Sequence, residues 1–311
     1  MGWIKDKQLI DDFLKDCELR NMSEHSIESY GSSLNIFLKF INSQDYSFLS
    51  IDRKILKDCI EYFHKNKLTY KTIQNRFSAY VSFYDYLVYE ELFENNIVRD
   101  FGKRYLSKYK DERAEKRKII SVDEMARFIH SIPDIRDKTI ALLFAKTGIR
   151  RRELVALDLD DIKWENMSIT LKPTKKRSNR IVYFDYEASI IIKKWLEKRK
   201  YHAAKSNKAL FVSYINKKKR LNRNGVAYIF VKWATIAGLH NPKSKKLEER
   251  FTPHNARHWY TTHLRRAGMQ REFISELRGD KRKAAMDIYY HIDHEELRKS
   301  YLACIPKLGV E

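Results

Sequence analysis

The sequence predicts a mainly α (α+β) protein of two domains, and three observations predict it. Apolar residues recur at three- and four-residue spacing along most of the chain. One pair of short apolar segments flanks a basic turn, as the strands of a hairpin do. A stretch dominated by charge separates two regions that each carry their own apolar pattern. With 311 residues, 43% hydrophobic and 13% aromatic, both regions can build a core despite 33% charge.

The first region, 1–102, reads as four amphipathic helices. Leu9, Ile10, Phe13, Leu14 and Cys17 form one stripe. After Asn21-Met22-Ser23, which supplies a cap, Ile27, Tyr30, Leu34, Phe37, Leu38 and Ile41 form the second. Ile55, Leu56, Cys59, Ile60 and Phe63 make the third; Ile73, Phe77, Tyr80, Phe83, Tyr84 and Leu87 make the fourth. Helices of this length pack as a compact bundle. Charge then takes over across 99–118, and this stretch predicts an interdomain linker at 103–117 that crosses a polyanion's backbone or is simply solvated.

The second domain, 118–311, opens with the capping-box pattern Ser121-Val122-Asp123-Glu124. A helix through Ile140, Leu142, Leu143 and Phe144 should end in a left-handed turn at Gly148. Ser168–Leu171 and 180–184 read as paired antiparallel strands, and helices follow near 188–201, 226–237 and 253–267. The whole is mostly helical with one small sheet.

A formal net charge of +21 calls for a polyanionic partner. Because the Lys and Arg are spread through aromatic-rich amphipathic segments, nucleic acid fits better than a membrane surface. Cys17, Cys59 and Cys304 are far apart on apolar helical faces and read as buried thiols in a reducing cytosol. Apolar runs such as 140–145 are too short to span a bilayer, and charge from Lys5 onward leaves no signal-peptide core. Asp6 stands where a myristoylation start would need Ser or Thr. The expectation is a soluble cytoplasmic protein.

The chemistry-bearing residues lie in the second domain. Arg150, in Thr147-Gly148-Ile149-Arg150, follows the glycine turn at a helix start, where backbone N–H groups also favour an anion. Glu153 can brace its guanidinium, while Arg151 and Arg152 read as surface. In Thr252-Pro253-His254-Asn255-Ala256-Arg257, Thr252 suits the cap and Pro253 the first helical position, so His254 and Arg257 share one face of a rigid helix start. His258 pairs with His254 at metal-ligand spacing. The zincin pattern, however, needs Glu where Asn255 stands, and Arg257 opposes a cation, so no metal or cofactor is expected. Two guanidiniums can grip one phosphate, and a tyrosine can attack phosphorus. Lys175, at the hairpin tip, either protonates a departing sugar oxygen or, like Lys176 and Arg177, only holds phosphates. Tyr289 and its neighbour Tyr290 are both candidate attackers among nineteen tyrosines.

In that order, Arg150, Lys175, His254-x-x-Arg257 and Tyr289 resemble the tyrosine recombinase (phage integrase) family, and the resemblance covers nearly the whole chain. The helices of 1–102 resemble the family's core-binding domain, and residues from about 118 its catalytic domain. One departure is plain. The family carries Leu-Gly-His, with His or Trp nine residues before the nucleophile; here Leu277-Arg278-Gly279-Asp280 puts Asp280 nine residues before Tyr289. This spacing favours Tyr289 over Tyr290. An aspartate donates to a phosphate only when protonated, so Asp280 is expected to orient Arg257, His254 or the tyrosine hydroxyl. The Arg-Gly-Asp variant, Asp293-x-x-Glu296-Leu297-Arg298 and the ending Ile305-Pro306-Lys307-Leu308-Gly309 look similar to integrases of archaeal viruses and plasmids.

The resemblance implies a site-specific DNA recombinase that cuts and rejoins double-stranded DNA through a 3′-phosphotyrosyl intermediate. It further implies two domains closing around DNA, a monomer or dimer when free, and a tetramer on paired sites working through a Holliday junction. A type IB topoisomerase is the nearest alternative. A non-catalytic architectural DNA-binding protein is another, with Asp280 as its only support. The segment after Tyr289, with Leu297, Tyr301, Leu302 and Ile305, is expected either to dock on a neighbouring protomer or to pack on its own domain.

Overall fold

The computed structural model describes residues 2–106, 118–173, 180–215, 219–244, 246–280 and 292–310. The chain divides into two compact units, 1–114 and 115–311.

The first unit holds α1 (Gly2–Leu19), α2 (Glu24–Asn42), α3 (Arg53–Lys65), α4 (Tyr70–Tyr89) and α5 (Ile97–Tyr105). Ser23, Asp52 and Thr69 each cap the helix that follows by accepting a backbone N–H three residues on. The four expected stripes meet in one core, with Phe13, Phe37, Phe63, Phe77, Tyr80 and Phe83 fully buried. Aromatic rings fill most of it: Phe13 meets Phe83 edge-on and Phe37 stacks on Tyr80. Helix α5 is a correction, because the charge pattern assigned its second half to the linker. Asn96 caps it by accepting from Arg99 N–H, and Val98 and Phe101 bury a narrow stripe while Arg99, Asp100, Lys103 and Arg104 stay outside. Val98 and Phe101 join the core of the bundle, with Ile97 packed against it.

The second unit contains α6 (Val122–His130), α7 (Ile135–Thr147), α8 (Arg151–Ala156), β1 (Ile162–Lys163), β2 (Ser168–Leu171), β3 (Arg180–Tyr183), α9 (Tyr186–His202), α10 (Arg223–Ile236), α11 (Pro253–Arg266), α12 (Arg271–Arg278) and α13 (His294–Cys304). Ser121 and Glu124 form the expected capping box of α6. Helix α7 is buried on nearly every side and packs against α9 and α11, which makes it the axis of the unit. The sheet is antiparallel in the order β1-β2-β3, with Ile169 opposite Val182 and Leu171 opposite Arg180. Strand β1 is an addition to the expected pair, too short to show a period of its own.

Helix α13 and the residues after it pack on their own unit. Leu297, Tyr301, Ile305, Leu308 and Val310 are buried in its core. Glu187 accepts the backbone N–H groups of Leu308 and Gly309, and Lys146 donates to the Pro306 carbonyl at 2.7 Å. Cys17 and Cys59 are buried as expected, whereas Cys304, at the outer end of α13, is only half-buried. Among the described residues no helix is long and apolar enough to cross a membrane.

Candidate active site

The site begins where α7 ends. Gly148 has φ +58°, and a Cβ there would lie 2.3 Å from the Tyr260 ring, so backbone and packing both demand glycine. The turn delivers Arg150 to the N-cap position of α8. Glu153 accepts from the Arg150 backbone N–H at 2.6 Å and from its Nη1 at 3.1 Å, which is the brace expected from the sequence. Arg180, the first residue of β3, shares that carboxylate, donating Nη1 and Nη2 at 2.6 and 2.9 Å. Burial raises the Glu153 pKa, yet the Arg180 bonds and charge, with Arg150 beside them, outweigh it and hold the group below its ordinary value.

Helices α11 and α12 supply the remainder. Pro253 occupies the first turn of α11, and Asn255 Oδ1 accepts from the Thr252 N–H and hydroxyl, which rigidifies the helix start. His254 is exposed there, with its Nε2 3.0 Å from His258 Nε2. Arg257 is only 5% exposed; it donates Nη1 to the Gly148 carbonyl and Nη2 to the Arg278 carbonyl at 2.7 Å. The same Arg278 carbonyl accepts from Arg150 Nη1 at 3.1 Å. A carbonyl in the last turn of α12, which has no donor within its own helix, thus ties both guanidiniums together. Gly279 then turns left-handed at φ +60°, and a Cβ on it would run into the Arg180 side chain at 2.8 Å. Asp280 follows: its Oδ2 lies 3.2 Å from Arg278 Nε, and its Oδ1 lies 3.7 Å from Arg150 Nη2 and 3.8 Å from Arg257 Nη2.

Four guanidiniums (Arg150, Arg180, Arg257, Arg278) therefore face two carboxylates (Glu153, Asp280). Burial pulls the Arg257 pKa down to about 9; Arg150, Arg278 and Arg180 push the same way, and Glu153 opposes them. At neutral pH the group is still charged, and a bound anion would relieve its repulsion. Beside it opens a cleft of about 300 Å³ walled by Arg150, Arg151, Arg152, Arg223, His254 and Arg257. Arg151 and Arg152, expected on the surface, thus contribute to the wall. Arg223 went unrecognised in the sequence; its only signal is the Asn222 cap that starts α10 beside it.

Arg150, His254, Arg257 and Asp280 come from three separate stretches of sequence to one place. Lys175, Tyr289 and Tyr290 lie outside the described residues. Beta strands β2 and β3, which flank Lys175, are paired as expected. Tyr260 and Tyr301 are fully buried in the same unit, and burial pushes their hydroxyls well up, which makes them poor attackers. Among the described residues no group of three His, Cys, Asp or Glu side chains could hold a metal ion.

A surplus of guanidiniums converging on one cleft suits an anion, and a phosphodiester is one such group. The profile of the phage integrase family matches residues 118–296, and that of the phage integrase N-terminal SAM-like domain matches 10–91. The chain belongs to the phage integrase family and is a site-specific DNA recombinase of the tyrosine class. It is 29% identical over 307 residues to the tyrosine recombinase XerC of Psychromonas ingrahamii, covering 96% of each chain. In fold it is similar to a lambda integrase dimer bound to a core site (TM-score 0.69, 14% identity, 92% of this chain and 97% of that one). It is similar also to the XerH site-specific recombinase bound to its difH substrate (TM-score 0.64, 18% identity, 94% of this chain and 81% of that one). The topoisomerase and architectural alternatives find no support among these relatives. Nor does the likeness to integrases of archaeal viruses and plasmids: the XerC relatives are bacterial.

Proposed function

We propose that Arg150 and Arg257 hold the scissile phosphate of duplex DNA, that His254 adds a hydrogen bond to it, and that Tyr289 attacks it. The phenol proton passes to His254 and the phenolic oxygen bonds to phosphorus as the bond to the 5′ oxygen breaks. Lys175 gives its proton to that leaving oxygen, and a 3′-phosphotyrosyl ester remains. One ester replaces another, so a 5′ hydroxyl from a second duplex reverses the step without an energy source. The observation that carries this reading is the shared Arg278 carbonyl, which fixes two guanidiniums from distant parts of the sequence beside one cleft. Preorganised cations of this kind stabilise charge developing on phosphate oxygens.

In this reading the helical bundle through α5 is the core-binding domain, the basic stretch after it a linker and 118–311 the catalytic domain, and a tetramer on paired sites exchanges strands through a Holliday junction. The setting is the cytoplasm. A place in a mobile element rests on the integrase resemblance alone. Changing Tyr289 to Phe tests the chemistry: on a nicked suicide substrate, covalent protein–DNA adducts disappear while DNA binding persists. Adducts that survive the change identify another nucleophile and sink the assignment.

A further inference from the structure

Two of the guanidiniums that wall the cleft already have an anion beside them. Oδ1 of Asp280 is nearly equidistant from the Nη2 atoms of Arg150 and Arg257, at 3.7 and 3.8 Å. Oδ2 faces Arg278 Nε at 3.2 Å. The first two separations are ion-pair distances, roughly an ångström longer than a charge-assisted hydrogen bond. The carboxylate therefore offsets the charge of the two phosphate-holding guanidiniums without tight bonds to them. Its backbone is anchored, since the Asp280 N–H donates to the Ser275 carbonyl at 3.0 Å just beyond the left-handed Gly279. Its side chain is 36% exposed.

We propose that Asp280 is a specificity-determining residue: a resident counter-ion between Arg150 and Arg257 that an incoming phosphate must displace. This rests on the phosphate role proposed above for the two arginines. A free phosphate ion offers oxygens to the same two guanidiniums but must compete with a carboxylate tethered beside them. A phosphate presented by DNA already held along the basic surface arrives at high effective concentration and wins. On displacement, Asp280 keeps Arg278 as its partner through Oδ2. Where the resembling family places a donor that strengthens phosphate capture, this chain places a charge that raises the threshold for it. The result is a site that engages only phosphates delivered by bound DNA.

Titration calorimetry of inorganic phosphate onto the full chain tests this, with Arg150→Ala locating the site. Asp280→Asn, which keeps the shape and removes the charge, should bind phosphate about tenfold more tightly than the parent, the size of one partly screened ion pair at this range. Asp280→Glu, which restores a carboxylate, should return the affinity towards the parent value. Arg150→Ala should abolish the same binding in the parent and in Asp280→Asn. Should Arg150→Ala leave phosphate binding intact, the cleft is not the phosphate site and the functional reading itself fails. If Arg150→Ala abolishes binding but Asp280→Asn binds no better than the parent, the cleft stands and the counter-ion assignment is overturned.

Discussion

Two ion clusters lie on either side of the Gly148 turn, and they are built to opposite ends. On one side, Lys146 is fully buried and bonded to Asp185 and Glu187 at 2.5 Å each and to the Pro306 carbonyl, while Glu187 also receives the tail's N–H groups. One cation meets two carboxylates there, and every group has a protein partner. On the other side, four guanidiniums meet two carboxylates beside an open cleft. The first cluster leaves one negative charge over, which backbone N–H groups of Leu308, Gly309 and Ala188 meet, and it fastens the C-terminal tail. The second keeps a surplus, and a surplus of fixed charge is what a ligand is needed to complete. What separates the two clusters is whether the charge left over is met within the protein, as it is around Lys146, or faces an open cleft, as it does around Arg150.

The largest effect should fall on the surplus side. Arg150→Ala should slow strand cleavage on a nicked substrate by about 10³-fold, comparable to removal of a single preorganised oxyanion donor, with little change in melting temperature. A melting loss as large as the catalytic one would place Arg150 with the structural cluster. Next in size, Lys146→Met should destabilise the second unit by about 3–5 kcal/mol, because Asp185 and Glu187 would remain buried without their cation. Thermal melting should show it as a drop on the order of 10 °C. A variant that melts like the parent would mean the lysine is dispensable and the tail is held otherwise.

The smallest effect is a pH dependence. Burial raises the pKa of Glu187, but Lys146 and the tail N–H groups outweigh it, and Glu153 behaves likewise with Arg180 and Arg150. Both carboxyls thus sit below their ordinary 4.5, so each contributes stability that is present above that value and lost as pH falls through the depressed one. Glu187→Gln and Glu153→Gln should each flatten the acid loss of stability in urea titrations. Only Glu153→Gln should also slow cleavage at neutral pH. Equal cleavage by the two would erase the distinction between the clusters.

Much of this was legible in the sequence, for physical reasons that can be named. Helical stripes, the Ser121–Glu124 capping box and the Gly148 turn are local signals, and each appears where the pattern put it. Helix α5 escaped because its buried stripe is short, Val98 and Phe101, and is set among charged residues. In the site, Glu153 was readable as a brace one helical turn from Arg150. The Arg278 carbonyl was not, since a backbone atom carries no sequence signature and its partners lie 128 and 21 residues away. Arg180 was visible only as the first residue of a strand expected over 180–184. Its bidentate bond to Glu153 and its packing on Gly279 depend on tertiary contact. The C-terminal tail, open between two partners in the sequence, packs on its own unit through Leu297, Tyr301, Ile305, Leu308 and Val310 and through Lys146, which helical periodicity marks only as one more residue of α7.

The most direct test of the surplus-charge account removes the charge from the substrate instead of the protein. A nicked duplex whose scissile phosphate is replaced by a neutral methylphosphonate should be cleaved by Arg150→Ala nearly as fast as by the parent chain, because the guanidinium then has no anion to neutralise. If Arg150→Ala binds that duplex normally yet still fails to cleave it, the arginine acts by something other than its charge, and the distinction between the two clusters fails with it.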